Sequence, residues 1–159
     1  TFERLRAAVE TGRAYGDLLA EIARQASIDI PAALERGAAN GIPTLPQLQA
    51  EFPAAARDGL KAAIRADAGE GIGAKLGAFL KSQIGARSLE EREGNDPDAI
   101  LSRAEAALKR GELAQAVALG MQLPEPGVEA MSDWLKSARA RLAAESALDA
   151  LNGRLNDGN

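Results

Sequence analysis

Alanine is the most frequent residue in this chain, with 35 of the 159 positions, and runs of β-branched residues are absent. Alanine has the highest helix propensity, whereas strands favour β-branched and aromatic side chains. From Phe2 to Ile22 the apolar residues recur at three- and four-residue steps, and this spacing places them on one face of a helix. The sequence therefore predicts an all-α fold, a helical bundle of six to eight helices with helical hairpins.

Glycine and proline set the expected helix boundaries near the N-terminus. Gly12 and Gly16 interrupt the first apolar pattern, since glycine is unfavourable inside a helix. Two interpretations follow, one bent helix or two helices joined near Gly12. The next helix is expected to begin at Pro31, which suits a first helical position, and to end at Asn40-Gly41.

Two capping signals open later helices. Thr44 with Gln47 forms a capping box before a helix that is predicted to reach about residue 68. Asp96 followed by Pro97 marks another start, because the carboxylate caps the helix and proline suits its first turn. The remaining helices are expected over residues 97–110 and 112–123, which form a hairpin across Gly111, and from Gly127 to about Leu151.

Composition and charge divide the chain into segments. Residues 1–87 carry 11 basic and 10 acidic side chains, whereas residues 88–159 carry 8 and 13. Glycines are frequent from 69 to 85, and the stretch from 90 to 98 is polar and acidic. The expected organisation is an N-terminal helical region, an amphipathic segment with an acidic linker between two halves, a second helical module and a flexible tail: residues 1–68, 69–94, 95–152 and 153–159.

The chain contains no histidine and no cysteine. Activation of a serine or cysteine nucleophile by histidine is therefore excluded, as are metal sites built from imidazole or thiolate ligands. We expect no enzymatic activity, no cofactor and no metal. The net charge of −4 disfavours nucleic acid as a partner, since nucleic-acid binding needs a clustered cationic surface.

The stretch from 71 to 89 contains three basic residues and no acidic one. As a helix it would gather five apolar side chains within an arc of roughly 140°. This pattern is typical of a helix that lies in a membrane interface. The same stripe also fits packing against a neighbouring helix, within the protein or in a dimer, and composition alone favours that interpretation. The apolar residues are Ile72, Leu76, Phe79, Leu80 and Ile84, and the basic ones are Lys75, Lys81 and Arg87.

Trp134 is the single tryptophan of the chain. It fits a core position, or an exposed position in a groove that takes a partner helix or peptide. Residues 97–124 resemble one tetratricopeptide-like hairpin, but no second copy follows one repeat length away. The alternative function is therefore a soluble tetratricopeptide-like module that binds a peptide or partner helix beside Trp134.

Several segments resemble the mitofilin family, and in particular the C-terminal region of its bacterial members. In the C-terminal half these are Asn95–Leu108, Arg110–Leu113, Leu123-Pro124 and Met131–Leu142. Gly41–Leu45 and Phe52–Ala55 are similar to the same family. The resemblance implies a membrane-organising protein with an N-terminal transmembrane anchor and a coiled coil, both expected outside this sequence. Because the sequence begins at Thr1 instead of Met, we expect it to be a fragment of a longer protein. The resemblance also implies the bacterial inner membrane, with this domain on the periplasmic side, and a lipid-binding amphipathic segment where Ile72–Arg87 stands.

With the resemblance added, membrane contact becomes the preferred interpretation of the stripe. The expected protein is a non-enzymatic helical domain that self-associates as a homo-oligomer, contacts an anionic membrane surface and meets membrane-associated partner proteins. The five apolar residues of the stripe would insert, while Lys75, Lys81 and Arg87 would meet headgroups. The residues expected in the core or in a partner or self-association surface are Met131, Trp134, Leu135 and Leu142.

Overall fold

The structure, a computed structural model, describes residues 1–68 and 94–157. Within these ranges every regular element is a helix, which confirms the all-α prediction. The eight helices are α1 (Phe2–Glu10), α2 (Gly16–Ala26), α3 (Ala32–Glu35), α4 (Leu45–Ala68), α5 (Pro97–Lys109), α6 (Leu113–Gly120), α7 (Glu125–Ala130) and α8 (Ser132–Asp157). None of these helices combines the length and the apolar character that crossing a bilayer requires.

The described residues group into two compact units. The terminal unit combines Thr1–Leu48 with Lys136–Asn159, and the central unit is Gln49–Leu135. The terminal unit thus joins both ends of the chain. The four segments expected from composition stay a prediction.

The terminal unit has a core built from α1, α2, α3, the turn before α4, and α8. Its largest fully buried side chains include Tyr15, Leu5 and Leu34. Partly buried residues such as Leu18 and Leu155 pack against this core. The buried members are Leu5, Val9, Tyr15, Leu19, Ile22, Leu34, Ile42, Ala144, Ala147, Leu148 and Leu151.

The central unit buries one face of each of its longer helices. On α4 the buried positions Phe52, Ala56, Gly59 and Ala63 follow steps of three and four residues, as expected for an amphipathic helix. The α5 and α6 helices pack against each other as a hairpin. Besides the α4 positions, the buried apolar residues here are Ala99, Ile100, Leu101, Ala104, Ala107, Leu108, Leu113, Ala116, Val117, Leu119, Leu123, Met131, Trp134 and Leu135.

Local signals set several helix boundaries as predicted. α1 and α2 are separate helices, and Gly12 between them has a φ of +69°, which favours glycine. The Gln47 amide donates to Thr44 Oγ1 at 3.2 Å at the start of α4. The Ala99 amide donates to the Asp96 carboxylate at 3.2 Å, and the helix begins at Pro97. The separate helices confirm the two-helix interpretation, and the two hydrogen bonds confirm that Thr44 and Asp96 cap their helices.

Two predicted helices differ in the structure. The helix expected from Pro31 to Asn40 is shorter, because α3 ends at Glu35 and turns follow. In these turns the Ala38 carbonyl accepts the Tyr15 and Gly16 amides at 2.9 and 3.0 Å. That carbonyl therefore caps the start of α2 instead of continuing a helix.

The last helix is also divided, contrary to the single helix predicted from Gly127. Pro124 precedes α7, Pro126 lies in its first turn, and the helix stops at Met131, whose φ and ψ are −92° and 5°. α8 then runs to Asp157, so the expected flexible tail from residue 153 begins inside this helix. The Arg154 side chain donates to the Asp29 carbonyl at 3.3 Å, which fixes the last turns of α8 in the terminal unit.

Candidate functional site

The predicted membrane-contact segment lies outside the described residues. Its members are Ile72, Lys75, Leu76, Phe79, Leu80, Lys81, Ile84 and Arg87. Their assignment to lipid binding stays a prediction.

The predicted partner surface is mostly buried in the central unit. Trp134 is 4% exposed and meets the Phe52 ring edge to face, with centroids 5.0 Å apart and planes at 70°. Met131 and Leu135 are fully or nearly fully buried, whereas Leu142 is half-buried and belongs to the terminal unit. Trp134 is therefore a core residue of the central unit, and it does not present an exposed indole to a groove. The role of these four residues in self-association stays a prediction.

A cleft of about 440 Å³ opens in the terminal unit, between the loop after α3 and the first turns of α8. Three of the residues that line it are cationic, Arg36, Lys136 and Arg139, and no lining residue is acidic. The remaining lining residues are Ala33, Gly37, Gly41, Ile42, Pro43, Ala140 and Ala143. The terminal unit thus presents an apolar hollow with positive charge around it, an arrangement that attracts anions.

One face of α8 supplies four of the ten residues that line the cleft. Lys136, Arg139, Ala140 and Ala143 follow the i, i+3, i+4, i+7 pattern, which places side chains in one row along a helix. The small alanines leave the hollow open, and the two long side chains project positive charge beside it. The position of this face depends on Arg141, on the other side of α8.

Arg141 is a buried cation that ties α8 to α1. The residue is 7% exposed, and its side chain donates from Nη1 to the Val9 carbonyl at 3.1 Å and from Nε to Glu145 at 2.7 Å. The Val9 carbonyl lies in the last turn of α1, where the helix dipole favours positive charge. The ion pair with Glu145 neutralises part of the buried charge and so offsets the cost of its burial. The hydrogen bond to the Val9 carbonyl then holds α8 against α1.

The opposite wall of the cleft is a tightly folded loop. Gly41 has a φ of +80°, and a Cβ atom there would lie only 2.1 Å from the Gly12 carbonyl oxygen. A Cβ atom on Gly37 would lie 2.4 Å from the Tyr15 hydroxyl oxygen. Only glycine fits either position, and the loop therefore packs directly against the turn that joins α1 to α2.

Tyr15 supports this loop from the core of the terminal unit. Its buried hydroxyl donates to the Leu34 carbonyl at 2.8 Å. Burial raises the pKa of the Tyr15 phenol above its ordinary value of 10.0, because the charged phenolate would lose its hydration. The hydroxyl therefore stays protonated and keeps this hydrogen bond at neutral pH.

The described ranges contain no cluster of three or more acidic side chains that could hold a metal ion. The cleft instead offers cationic and apolar groups.

Comparison with known proteins places the chain in a family. Its sequence matches mitofilin, described as a mitochondrial inner membrane protein, over residues 21–155. The chain belongs to the mitofilin family. It is also 32% identical over 154 residues to the probable magnetosome protein Mms36 of Magnetospirillum gryphiswaldense. That alignment covers 94% of this chain and 43% of Mms36, so the chain spans less than half of this relative. No solved structure gives a significant match.

The mitofilin match confirms the resemblance seen in the sequence, and it takes in every residue that lines the cleft. Two segments that carried the resemblance contribute to the two walls. Gly41, Ile42 and Pro43 belong to the first, and Lys136, Arg139 and Ala140 belong to the second. These stretches of the mitofilin domain, far apart in sequence, therefore meet around one surface feature.

Sequence reasoning missed this cleft, and the cause is the spacing of its cations. Lys136 and Arg139 lie one helical turn apart, but Arg36 comes from the opposite end of the chain. The three basic residues are therefore never close together in the sequence, and no local pattern marks them as one group. Only the joining of both chain ends in one unit brings them to the same hollow.

Proposed function

We propose that this mitofilin domain organises membranes by laying residues 72–87 on an anionic bilayer surface and by self-association. The observation that carries the proposal is the match over residues 21–155 to a family of inner membrane proteins. The amphipathic pattern of the segment, in the place where the family has its lipid-binding segment, also supports it. The proposed setting is the periplasmic side of a bacterial inner membrane.

The proposed contact has two energetic components. Full burial of Ile72, Leu76, Phe79, Leu80 or Ile84 contributes about 1.5–3 kcal/mol for each side chain. Basic residues near an anionic surface, here Lys75, Lys81 and Arg87, add about 1 kcal/mol each. Gly73 and Gly77 oppose helix formation by roughly 1 kcal/mol each, so contact with the bilayer supplies much of the free energy that orders the helix.

Self-association converts this contact into an effect on membrane shape. One shallow helix displaces headgroups over a small area. Several copies held together would insert side by side, and their combined wedging favours curved bilayer. Oligomers also bind more tightly than single domains, because each further contact becomes intramolecular.

Co-sedimentation with vesicles of phosphatidylglycerol and phosphatidylcholine tests the membrane contact. We expect the parent chain to sediment at low salt and to be released at high salt, because screening weakens the basic contacts. Phe79→Glu is expected to abolish sedimentation. Met121→Glu is the matched control, since Met121 is 42% exposed outside the segment and its replacement adds the same charge.

Either of two results would contradict the membrane proposal. The first is that the folded parent chain stays in the supernatant at low salt. The second is that both variants sediment as the parent does. Sedimentation equilibrium of the parent, with and without vesicles, tests the self-association. A monomer under both conditions would remove that part of the proposal.

A further inference from the structure

The cleft of the terminal unit has the charge of an anion site. Arg36, Lys136 and Arg139 line it, and no carboxylate does. A hollow lined by charges of one sign, with apolar walls around them, concentrates the field and attracts the opposite charge. Arginine also donates paired hydrogen bonds whose geometry matches the oxygens of a phosphate.

The walls indicate that the anion carries an apolar portion. Ala33, Ile42, Pro43, Ala140 and Ala143 present mainly carbon to the hollow. Its volume of about 440 Å³ falls in the range of sites for small molecules, which are lined mostly by apolar groups with a few polar anchors. A bare ion would leave this apolar surface uncovered.

The backbone of the walls argues against an extended peptide as the occupant. The Gly37 amide donates to Leu34 at 3.2 Å and the Gly41 amide to Gly37 at 2.8 Å, while Pro43 has no amide hydrogen. The opposite wall belongs to α8, whose amides bond within the helix. An extended peptide has a donor and an acceptor at almost every residue, and these walls offer it few partners.

We infer that this cleft binds the phosphate-bearing headgroup of an anionic phospholipid. The two arginines and the lysine hold the phosphate, and the glycerol and the first carbons of the tails cover the apolar walls. This inference rests on the membrane setting of the proposed function, but on different residues from the 72–87 segment.

The test uses dihexanoyl phosphatidylglycerol below its micelle concentration, so that no bilayer is present for the 72–87 segment to enter. Two-dimensional NMR of the full 159-residue chain follows the backbone amides. Saturable shifts are expected at Gly37, Gly41 and Ala140. Dihexanoyl phosphatidylcholine supplies the tails without net charge, and glycerol 1-phosphate supplies the phosphate without tails. Each is expected to bind on the order of tenfold more weakly.

Neutral variants test the cationic residues. The triple variant Arg36→Gln/Lys136→Gln/Arg139→Gln is expected to weaken phosphatidylglycerol binding by roughly tenfold or more, since each basic residue contributes to anion affinity. The matched control removes two arginines and one lysine from exposed positions that do not line the cleft: Arg4→Gln/Arg57→Gln/Lys61→Gln. Circular dichroism of both triple variants checks that helix content is unchanged.

This design distinguishes membrane contact by the 72–87 segment from lipid binding in the cleft. Phe79→Glu is expected to lose vesicle sedimentation and to keep the NMR shifts, while the cleft variant loses the shifts. If the parent chain fails to sediment with vesicles, the proposed function is overturned. The NMR titration with dihexanoyl phosphatidylglycerol then still tests the cleft inference separately.

Four results would overturn the cleft inference. The first is that the amides of Gly37, Gly41 and Ala140 do not respond to dihexanoyl phosphatidylglycerol. The second is that both triple variants weaken its binding equally. Glycerol 1-phosphate would bind as tightly as the lipid, which would identify a site for free phosphate. An acidic peptide of alternating glutamate and leucine would bind more tightly than the lipid, which would identify a protein partner.

Discussion

Gly59 in α4 and Gly127 in α7 lie directly against each other. A Cβ atom on Gly59 would stand 3.3 Å from the Gly127 carbonyl oxygen, and one on Gly127 would stand 3.1 Å from the Gly59 carbonyl oxygen. The two helix backbones are therefore in contact, because neither position carries a side chain that would separate them. Met131, which divides α7 from α8, packs over the same point.

Gly59→Ala tests this close approach. The new methyl would lie 2.7 Å from Met131 Cγ and 2.9 Å from its sulfur, and Met131 is fully buried. Overpacking of this kind costs about 1–3 kcal/mol, and alanine gains roughly 1 kcal/mol over glycine in a helix. We therefore expect a net loss of up to about 2 kcal/mol in the free energy of unfolding. Urea unfolding followed by circular dichroism measures the difference.

Gly153→Ala is the control for that prediction. Gly153 lies in α8 with no atom within 4 Å of an added Cβ, so the same substitution is expected to raise the free energy of unfolding by about 0.5–1 kcal/mol. Equal stabilisation by both substitutions would show that α4 and α7 do not approach as closely as described.

Arg141→Met tests the tie between α8 and α1. This change keeps a long side chain but removes the charged donor to the Val9 carbonyl, and we expect a loss of about 1.5–3 kcal/mol in unfolding free energy. Glu145→Gln weakens only the ion pair, and Glu145 is 47% exposed, so a loss of about 1 kcal/mol or less is expected. Urea unfolding, which leaves ionic strength unchanged, provides the comparison. Equal losses would assign the effect to the ion pair instead of the Val9 contact.

Tyr15 predicts a dependence of stability on alkaline pH. The pKa of Tyr15 is raised in the folded state. The contribution of its protonated phenol to the free energy of unfolding is therefore fully present below the unfolded pKa of about 10. It is lost as the pH rises from there through the folded pKa, since the unfolded state releases its proton first. Urea unfolding near pH 8 and near pH 11 is expected to show a larger loss in the parent than in Tyr15→Phe.

Two observations check this assignment. Tyr15 is the single tyrosine of the chain, so the ultraviolet absorbance of tyrosinate reports its titration directly. Tyr15→Phe also leaves the Leu34 carbonyl without its hydroxyl donor, and we expect a loss of about 1–2 kcal/mol at neutral pH. A phenol that titrates at its ordinary pKa in the folded protein would refute the prediction.

The starts of α4 and α5 were predictable because the signals that set them are local. Asp96 caps its helix through an amide three residues away, and Thr44 does the same for Gln47. Such contacts need no information from the rest of the fold. The family was also recognisable from short segments, which the match over residues 21–155 confirms.

The boundaries and surfaces that the sequence did not predict depend on distant residues. The break at Met131 coincides with the packing of its side chain at Gly59, 72 positions earlier in the chain. The cleft needs Arg36 and Lys136 in one unit, and no periodicity within either segment contains that information. A pattern along one helix specifies which face is buried, but not which distant segment covers it.

The contact between Arg141 and Val9 joins residues 132 positions apart, and this separation sets an order of events during translation. When α1 and α2 leave the ribosome, α8 has not been made, and the apolar faces that it covers have no partner within the nascent chain. The central unit, Gln49–Leu135, is complete in sequence before the first residue of the returning segment is added. Domain assembly of this kind delays the longest-range closure until α8 has been synthesised. The apolar faces of α1 and α2 that α8 covers therefore stay uncovered until Lys136 and the residues after it have been added, and a chain whose synthesis stops before Lys136 has no means to close its terminal core.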